Sequence, residues 1–222
     1  LASKYAAGLL PIIEDKPMSQ FSANVLIIML HGVGSSGDTL LPLAKAWKTA
    51  LPNAVNVSPN APGLSISRSG YEWFSVAGVN EENRSGRIRD ARTSFDATIS
   101  AIIDENGFSD RLDRVAFVGF SQGTIMALDA VASGRWPVGA VVGFSGRLAS
   151  PLPLQPAVAT PILLVHGSAD SVISATETTK AAAAFQPFGM RVETVIIPGL
   201  PHTISAEGAA RAGSFVAAAM AG

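Results

Sequence analysis

Short apolar runs alternate with helical stretches along this chain, and that alternation restricts the fold more than any other feature. Residues 24–30 (NVLIIML), 54–58 (AVNVS), 114–120 (RVAFVGF), 139–144, 162–165 and 192–197 read as strands. A continuous apolar run of this length suits a strand buried on both faces of a parallel sheet. Between the runs the period lengthens. Asp38 is positioned to N-cap a helix carrying Leu40, Leu43, Ala44, Trp47 and Leu51, ended by Pro52. Residues 87–106 place Ile88, Ala91, Phe95, Ile99, Ile102 and Ile103 on one face and stop at Asn106-Gly107. Further helices are predicted from about Gln122 to Ala132, from a Ser174/Glu177 capping box to Phe185, and over 204–220. The pattern predicts an α/β fold with a mainly parallel central sheet flanked by helices. Neither an internal repeat nor a shift in composition divides the chain, so residues 1–222 are expected to form a single domain.

Composition narrows the function classes. Of 222 residues, 48% are apolar and 15% charged, which supports a large core and excludes intrinsic disorder. A net charge of −1 provides no general attraction to nucleic acid or to an anionic membrane. The absence of cysteine excludes disulfides, cysteine metal sites, iron–sulfur clusters and thiol nucleophiles. The longest stretch free of Asp, Glu, Lys and Arg, 148–169, is interrupted by Pro151, Pro153, Pro156 and Pro161. A membrane helix needs roughly 20 mainly apolar residues in succession, so stable membrane insertion is not expected. The opening LASKYAAGLL is too weakly patterned for a signal peptide, although a chain starting at Leu1 leaves a removed leader open. A soluble, cytoplasmic protein is the default expectation.

Two segments break the alternation. Residues 59–87 form a long connection rich in Gly, Ser and Asn that carries Tyr71, Trp73 and Phe74, and residues 147–160 are rich in proline. Loops this long inside a compact domain are either functional or poorly ordered; the aromatic side chains of the first favour function, and it is expected to lie over a pocket.

The sharpest motif is Gly119-Phe120-Ser121-Gln122-Gly123, a G-x-S-x-G between a predicted strand and a predicted helix. Such a nucleophile elbow turns so tightly that only small residues fit two positions either side of the serine. A serine hydroxyl needs a base, and in folds with this elbow the acid and then the histidine follow the serine. Of His31, His166 and His202, only His202 leaves room for an acid between itself and the serine's helix. The candidate acids are Asp129, Asp170, Glu177 and Glu193. Asp129 lies two turns into a helix, Glu177 reads as a cap and Glu193 opens a strand. Asp170 follows the C-terminal end of a strand, where parallel sheets build their sites, and is the choice. His31 and His166, each before a glycine at a strand end, are read as structural. Neither shows metal-ligand spacing, so no metal is expected.

His31-Gly-Val-Gly-Ser-Ser-Gly37 admits two readings. It contains the G-x-G-x-x-G of dinucleotide-binding folds, but residues 52–62 lack the acidic residue that would hold the ribose. The alternative is an oxyanion loop in which the backbone N–H of Val33 and that of Gln122, after the nucleophile, face the developing negative oxygen. With Ser121, Asp170 and His202 placed, the second reading is better supported, and no cofactor is expected.

Taken together, Leu30-His-Gly-Val-Gly34, Gly119-Phe-Ser-Gln-Gly123, His166-Gly-Ser-Ala-Asp170, Tyr71-Glu-Trp-Phe74 and the Gly199–His202 region resemble the phospholipase/carboxylesterase family of α/β-hydrolases, which includes acyl-protein thioesterases. The resemblance spans almost the whole chain. It implies an α/β-hydrolase fold without a large cap domain, metal-independent hydrolysis of small-molecule carboxylic esters or thioesters, and Trp73 and Phe74 beside the acyl site; core packing of the loop is the other reading of these two residues. Homodimers occur among such proteins and are one option here. Three positions depart from the family pattern. Thr124 stands where a further glycine is common, Ser171 where a proline is common, and PGLPHTIS around His202 matches only loosely. The expected chemistry is acyl transfer through Ser121, His202 and Asp170. An acyl-protein thioesterase or lysophospholipase with the same triad is the alternative, and a non-catalytic binding module of the same fold is a third reading.

Overall fold

The computed structural model describes residues 24–66 and 69–221; the opening decapeptide considered above lies outside them. Six strands form one sheet in which every pairing is parallel. They are β1 (Val25–Leu30), β2 (Ala54–Val57), β5 (Val115–Phe120), β6 (Ala140–Phe144), β7 (Ile162–Gly167) and β8 (Val192–Ile197), in the order β2-β1-β5-β6-β7-β8. Two short strands, β3 (Gly63–Leu64) and β4 (Tyr71–Glu72), pair as a separate antiparallel ribbon.

Side-chain alternation along the strands builds two cores. Leu26, Ile28 and Leu30 of β1 face one side, with α2 (Glu81–Glu105), α3 (Gln122–Ala132) and Phe185 of α4 (Thr176–Phe185). Val25, Ile27 and Met29 face the other, with Leu43 of α1 (Leu41–Ala46) and Phe215 of α5 (Ala206–Met220). Each such side chain contributes about 1.5–3 kcal/mol when fully buried. Burial on both faces explains why the central runs show no polar alternation. The family-like absence of a cap is visible between β6 and β7, where residues 145–161 contain neither helix nor strand. No helix among the described residues is long and apolar enough to cross a membrane.

Strand order reverses between β1 and β5, since the chain moves outward to β2 on one side and to β6, β7 and β8 on the other. A crevice therefore opens at the carboxyl ends of β1 and β5, the usual ligand position in open parallel sheets.

Several helix starts differ from the sequence reading. Asp38 caps nothing. It lies within a 3-10 turn, Gly37–Leu40, whose first N–H donates to Asn60 Oδ1 at 2.9 Å, and α1 begins only at Leu41. The helix predicted over 87–106 starts at Glu81, because Asn80 and Asn83 form a reciprocal capping box. The predicted Ser174/Glu177 box does not form. Glu177 instead accepts from Lys180 Nζ at 2.7 Å, and α4 opens at Thr176 without a side-chain cap. The last helix begins at Ala206, capped by Ser205 Oγ, which accepts from Gly208 N–H.

Candidate active site

The elbow forces an uncommon backbone on Ser121, φ 52° and ψ −112°. Its N–H donates to Phe144 O at 2.9 Å, which holds the turn to β6. The flanking glycines are obligatory. A Cβ at Gly119 would stand 2.4 Å from Thr124 N, and one at Gly123 would stand 1.9 Å from Leu30 O. Ser121 and Ser145, at the adjacent end of β6, are the non-glycine residues with positive φ among those described, so strain gathers at this sheet edge. Thr124, the first departure from the family pattern, fills space against Gly143 and Gly146 and donates to Phe144 O at 2.8 Å. It shapes helix packing.

The ends of β7 and β8 carry Asp170 and His202, the residues expected as acid and base. Their loops are bound together, since Ala169 N–H donates to Leu200 O at 3.0 Å and Gly199 N–H to Ser168 Oγ at 2.8 Å. His202 Nδ1 lies 2.7 Å from Asp170 Oδ2. A carboxylate only accepts, so Nδ1 carries the proton and Nε2 keeps its lone pair. Asp170 Oδ1 accepts from Val172 and Ile173 N–H, both at 2.9 Å. Burial alone would raise the Asp170 carboxyl. The His202 hydrogen bond and the two backbone donors outweigh it, and the group sits below its ordinary 3.8. The His202 ring packs on Phe120, the residue before the nucleophile, with centroids 4.9 Å apart.

His31 and His166 hold loops, as read from the sequence. His31 is fully buried. Its Nε2 accepts from Ala61 N–H at 3.0 Å, which leaves Nδ1 to donate to Gly32 O at 2.7 Å. Burial pushes its pKa down, so the ring stays neutral. His166 bonds Thr178 Oγ1 and Ile173 O, each at 2.8 Å, and also faces Asp170 Oδ2 at 3.3 Å.

Neither Val33 N–H nor Gln122 N–H has an acceptor among the described residues. The Gln122 amide lies at the first turn of α3, where backbone donors have no intrahelical partner. Its side chain has a second task that sequence reasoning missed. Oε1 accepts from Trp73 N–H at 2.8 Å, and Nε2 donates to Phe74 O at 2.7 Å. The available signal was a long polar side chain, glutamine, directly after the elbow serine.

A cavity of about 650 Å³ contains Val33, Phe120, Ser121 and His202 in its lining, together with residues of α1 and of the segment 203–209. Trp73 and Phe74 do not line this cavity, and both are largely buried. Gln122 turns both residues into the core, and Trp73 Nε1 donates to His31 O at 3.0 Å. They brace the glycine loop from beneath.

Asp129, the discarded acid, is fully buried far along α3 and paired with Arg92 at 2.8 Å and Arg135 at 3.0 Å. Burial raises its carboxyl, but the Arg92 hydrogen bond and the two cations prevail and hold it below 3.8. Asp129→Asn is expected to lower unfolding free energy by about 2–4 kcal/mol, since two partly exposed guanidinium groups lose their shared carboxylate. The sign in pH follows from the same shift. The Asp129 contribution is complete above 3.8 and declines below it, as the unfolded chain takes up the proton first. Urea titrations from pH 7 to pH 3 should therefore show a flatter loss of stability in the variant.

Residues 17–220 match the family model described as Phospholipase/Carboxylesterase. The chain is 32% identical over 190 residues to esterase YpfH of Escherichia coli, covering 86% of this chain and 78% of that protein. It is 26% identical to acyl-protein thioesterase 1 of Candida albicans, covering 86% and 90% respectively. Among solved structures, esterase PE8 superposes with a TM-score of 0.81 at 30% identity, over 90% of this chain and 95% of that one. SOBER1 of Arabidopsis thaliana superposes with a TM-score of 0.73 at 26% identity, over 88% and 99%. An elbow serine at a sheet edge, in an all-parallel sheet of this order, agrees with both sets of likenesses, and the chain belongs to the phospholipase/carboxylesterase family of α/β-hydrolases, enzymes that hydrolyse esters.

Proposed function

We propose that the chain is a serine carboxylesterase whose triad is Ser121, His202 and Asp170. The observation that carries this reading is the 2.7 Å contact of Asp170 with Nδ1 of His202, a residue that lines the same cavity as Ser121. His202 Nε2 removes the Ser121 proton as Oγ attacks the ester carbonyl, and Asp170 stabilises the resulting imidazolium. The N–H groups of Val33 and Gln122 donate to the oxyanion, each worth on the order of 3 kcal/mol of barrier lowering. The imidazolium protonates the departing alcohol. Water activated by the same nitrogen then hydrolyses the acyl-enzyme.

A fluorophosphonate probe tests the assignment. The expected result is one labelled peptide containing Ser121, with hydrolysis of p-nitrophenyl acetate lost in step with labelling. Label on another serine, or activity that survives complete labelling, would sink it. The relatives named acyl-protein thioesterase favour a second reading, in which the same triad cleaves thioesters. Matched ester and thioester pairs with one acyl chain separate the two.

A further inference from the structure

The cavity beside Ser121 is an apolar groove between α1 and the start of α5. Leu43 and Ala46 form one wall, and Ile204, Ala206 and Ala209 form the other. The two walls are joined where Trp47 Nε1, one residue past Ala46, donates to Ala209 O at 2.7 Å. The steps from Leu41 to Ala46 carry α1 about 7–8 Å away from the catalytic edge at the usual helical rise. Among the described residues, no Asp, Glu, Lys or Arg lines the groove.

The tetrahedral carbon bears four groups: Ser121 Oγ, the oxyanion, the acyl substituent and the leaving oxygen. The oxyanion belongs at the Val33 and Gln122 N–H groups. The leaving oxygen must receive a proton from His202 Nε2 and so lies beside that ring, whereas the acyl substituent has no such requirement. His202 and the four residues after it all line the groove. We propose that this groove binds the alcohol portion of the substrate, that the enzyme selects esters of uncharged apolar alcohols, and that Ala46 and Ala206 set how long the alcohol can be. The assignment rests on the serine esterase reading given above. In the acylation step the Oγ–acyl bond forms and the acyl–alkoxy bond breaks. The Ser121 proton passes through His202 to the alcohol oxygen, and the free alcohol departs along the groove before water enters. A charged leaving group, such as the phosphodiester headgroup of a lysophospholipid, finds no counter-charge along these walls.

Two substrate series test the assignment: acetates of straight-chain primary alcohols, and p-nitrophenyl esters of straight-chain acids. In the first, kcat/KM is expected to rise roughly fourfold per methylene, the increment for burying a CH₂, until the chain reaches Ala46. Ala46 and Ala206 are exposed, so Ala46→Trp and, independently, Ala206→Phe can narrow the groove from either wall without disturbing the core. Each is expected to lower the ratio of long-alcohol to short-alcohol kcat/KM at least tenfold while preserving the ratios across the acid series. Variants that instead compress the acid series would assign the groove to the acyl chain and overturn the proposal, as would variants that leave both series unchanged. A wild-type protein that takes the fluorophosphonate label on Ser121 yet shows no alcohol-length dependence fails only the groove assignment. One that takes no label and cleaves neither series fails the esterase reading itself.

Discussion

Ser121→Ala is expected to lower kcat on a short ester by ~10⁴–10⁶, the range set by loss of a triad nucleophile, while the chain keeps its fold. The two halves of this expectation have different sources. Chemically, alanine removes the only atom on which the acyl-enzyme can form, so what survives is the smaller acceleration from the oxyanion donors and binding. Structurally, little is lost. The N–H to Phe144 O bond and the acceptance from Ile125 N–H are backbone contacts that alanine retains. The positive φ costs a Cβ-bearing alanine about what it costs serine. Unfolding free energies from urea titration should then agree with the wild type within about 0.5 kcal/mol, as for substitutions that make no cavity and orphan no buried group. Turnover by the alanine variant close to the wild-type value, insensitive to fluorophosphonate, would remove Ser121 from the mechanism.

What the sequence disclosed depended on how local the cause was. The central strands were legible because burial on both faces writes itself into each run: 25–30 and 115–120 need no knowledge of their neighbours. The helix after Ser121 was legible to its ends, since the elbow fixes its start and Ser133-Gly134 releases it. Capping residues misled where a distant group competed. The Gly37 N–H that opens the first turn is taken by Asn60, twenty-three residues away, leaving Asp38 without a role. Glu177 has a lysine one turn on and Arg147 across the loop, so its carboxylate never turns back to the helix start. Conversely, the true cap of α2 was present as an Asn-x-x-Asn pair, whose amides can donate and accept in both directions.

The contrast between Asp129 and Asp170 rests on geometry that sequence order encodes. Asp129 lies in the interior of α3, behind the sheet edge, where two arginines converge on it. Asp170 lies just past β7, and adjacent parallel strands necessarily end at one edge. The side on which Trp73 and Phe74 pack was not encoded in this way. Nothing in residues 59–87 alone says that a glutamine forty-eight residues later grips their backbone and turns the rings inward.

Asp170→Asn should be nearly as damaging to turnover as loss of the nucleophile, ~10⁴-fold in kcat, because the hydrogen bonds around residue 170 leave the amide one orientation. Oδ1 accepts two backbone N–H groups, from Val172 and Ile173, so the amide oxygen must stay there. An NH₂ at that position would face two donors. The amide nitrogen therefore takes the place of Oδ2, facing His202 Nδ1 and, at 3.3 Å in the parent, His166 Nε2. An NH₂ only donates, so His202 must present its Nδ1 lone pair and move its proton to Nε2, the nitrogen that has to accept from Ser121. The imidazole remains in place with the wrong tautomer. Labelling by fluorophosphonate is expected to slow in parallel with kcat, since both need an unprotonated Nε2. The retained backbone bonds limit the stability loss to about 1–2 kcal/mol, the cost of one disturbed buried pairing. An asparagine variant that turns over within tenfold of the parent, with labelling unchanged, would mean that another group orients His202. Because Asp170 already sits below 3.8 in the parent, the same substitution should also remove one group whose stabilisation fades as pH falls under that value. The kinetic and the acid-stability consequences thus come from a single carboxylate held by the same bonds.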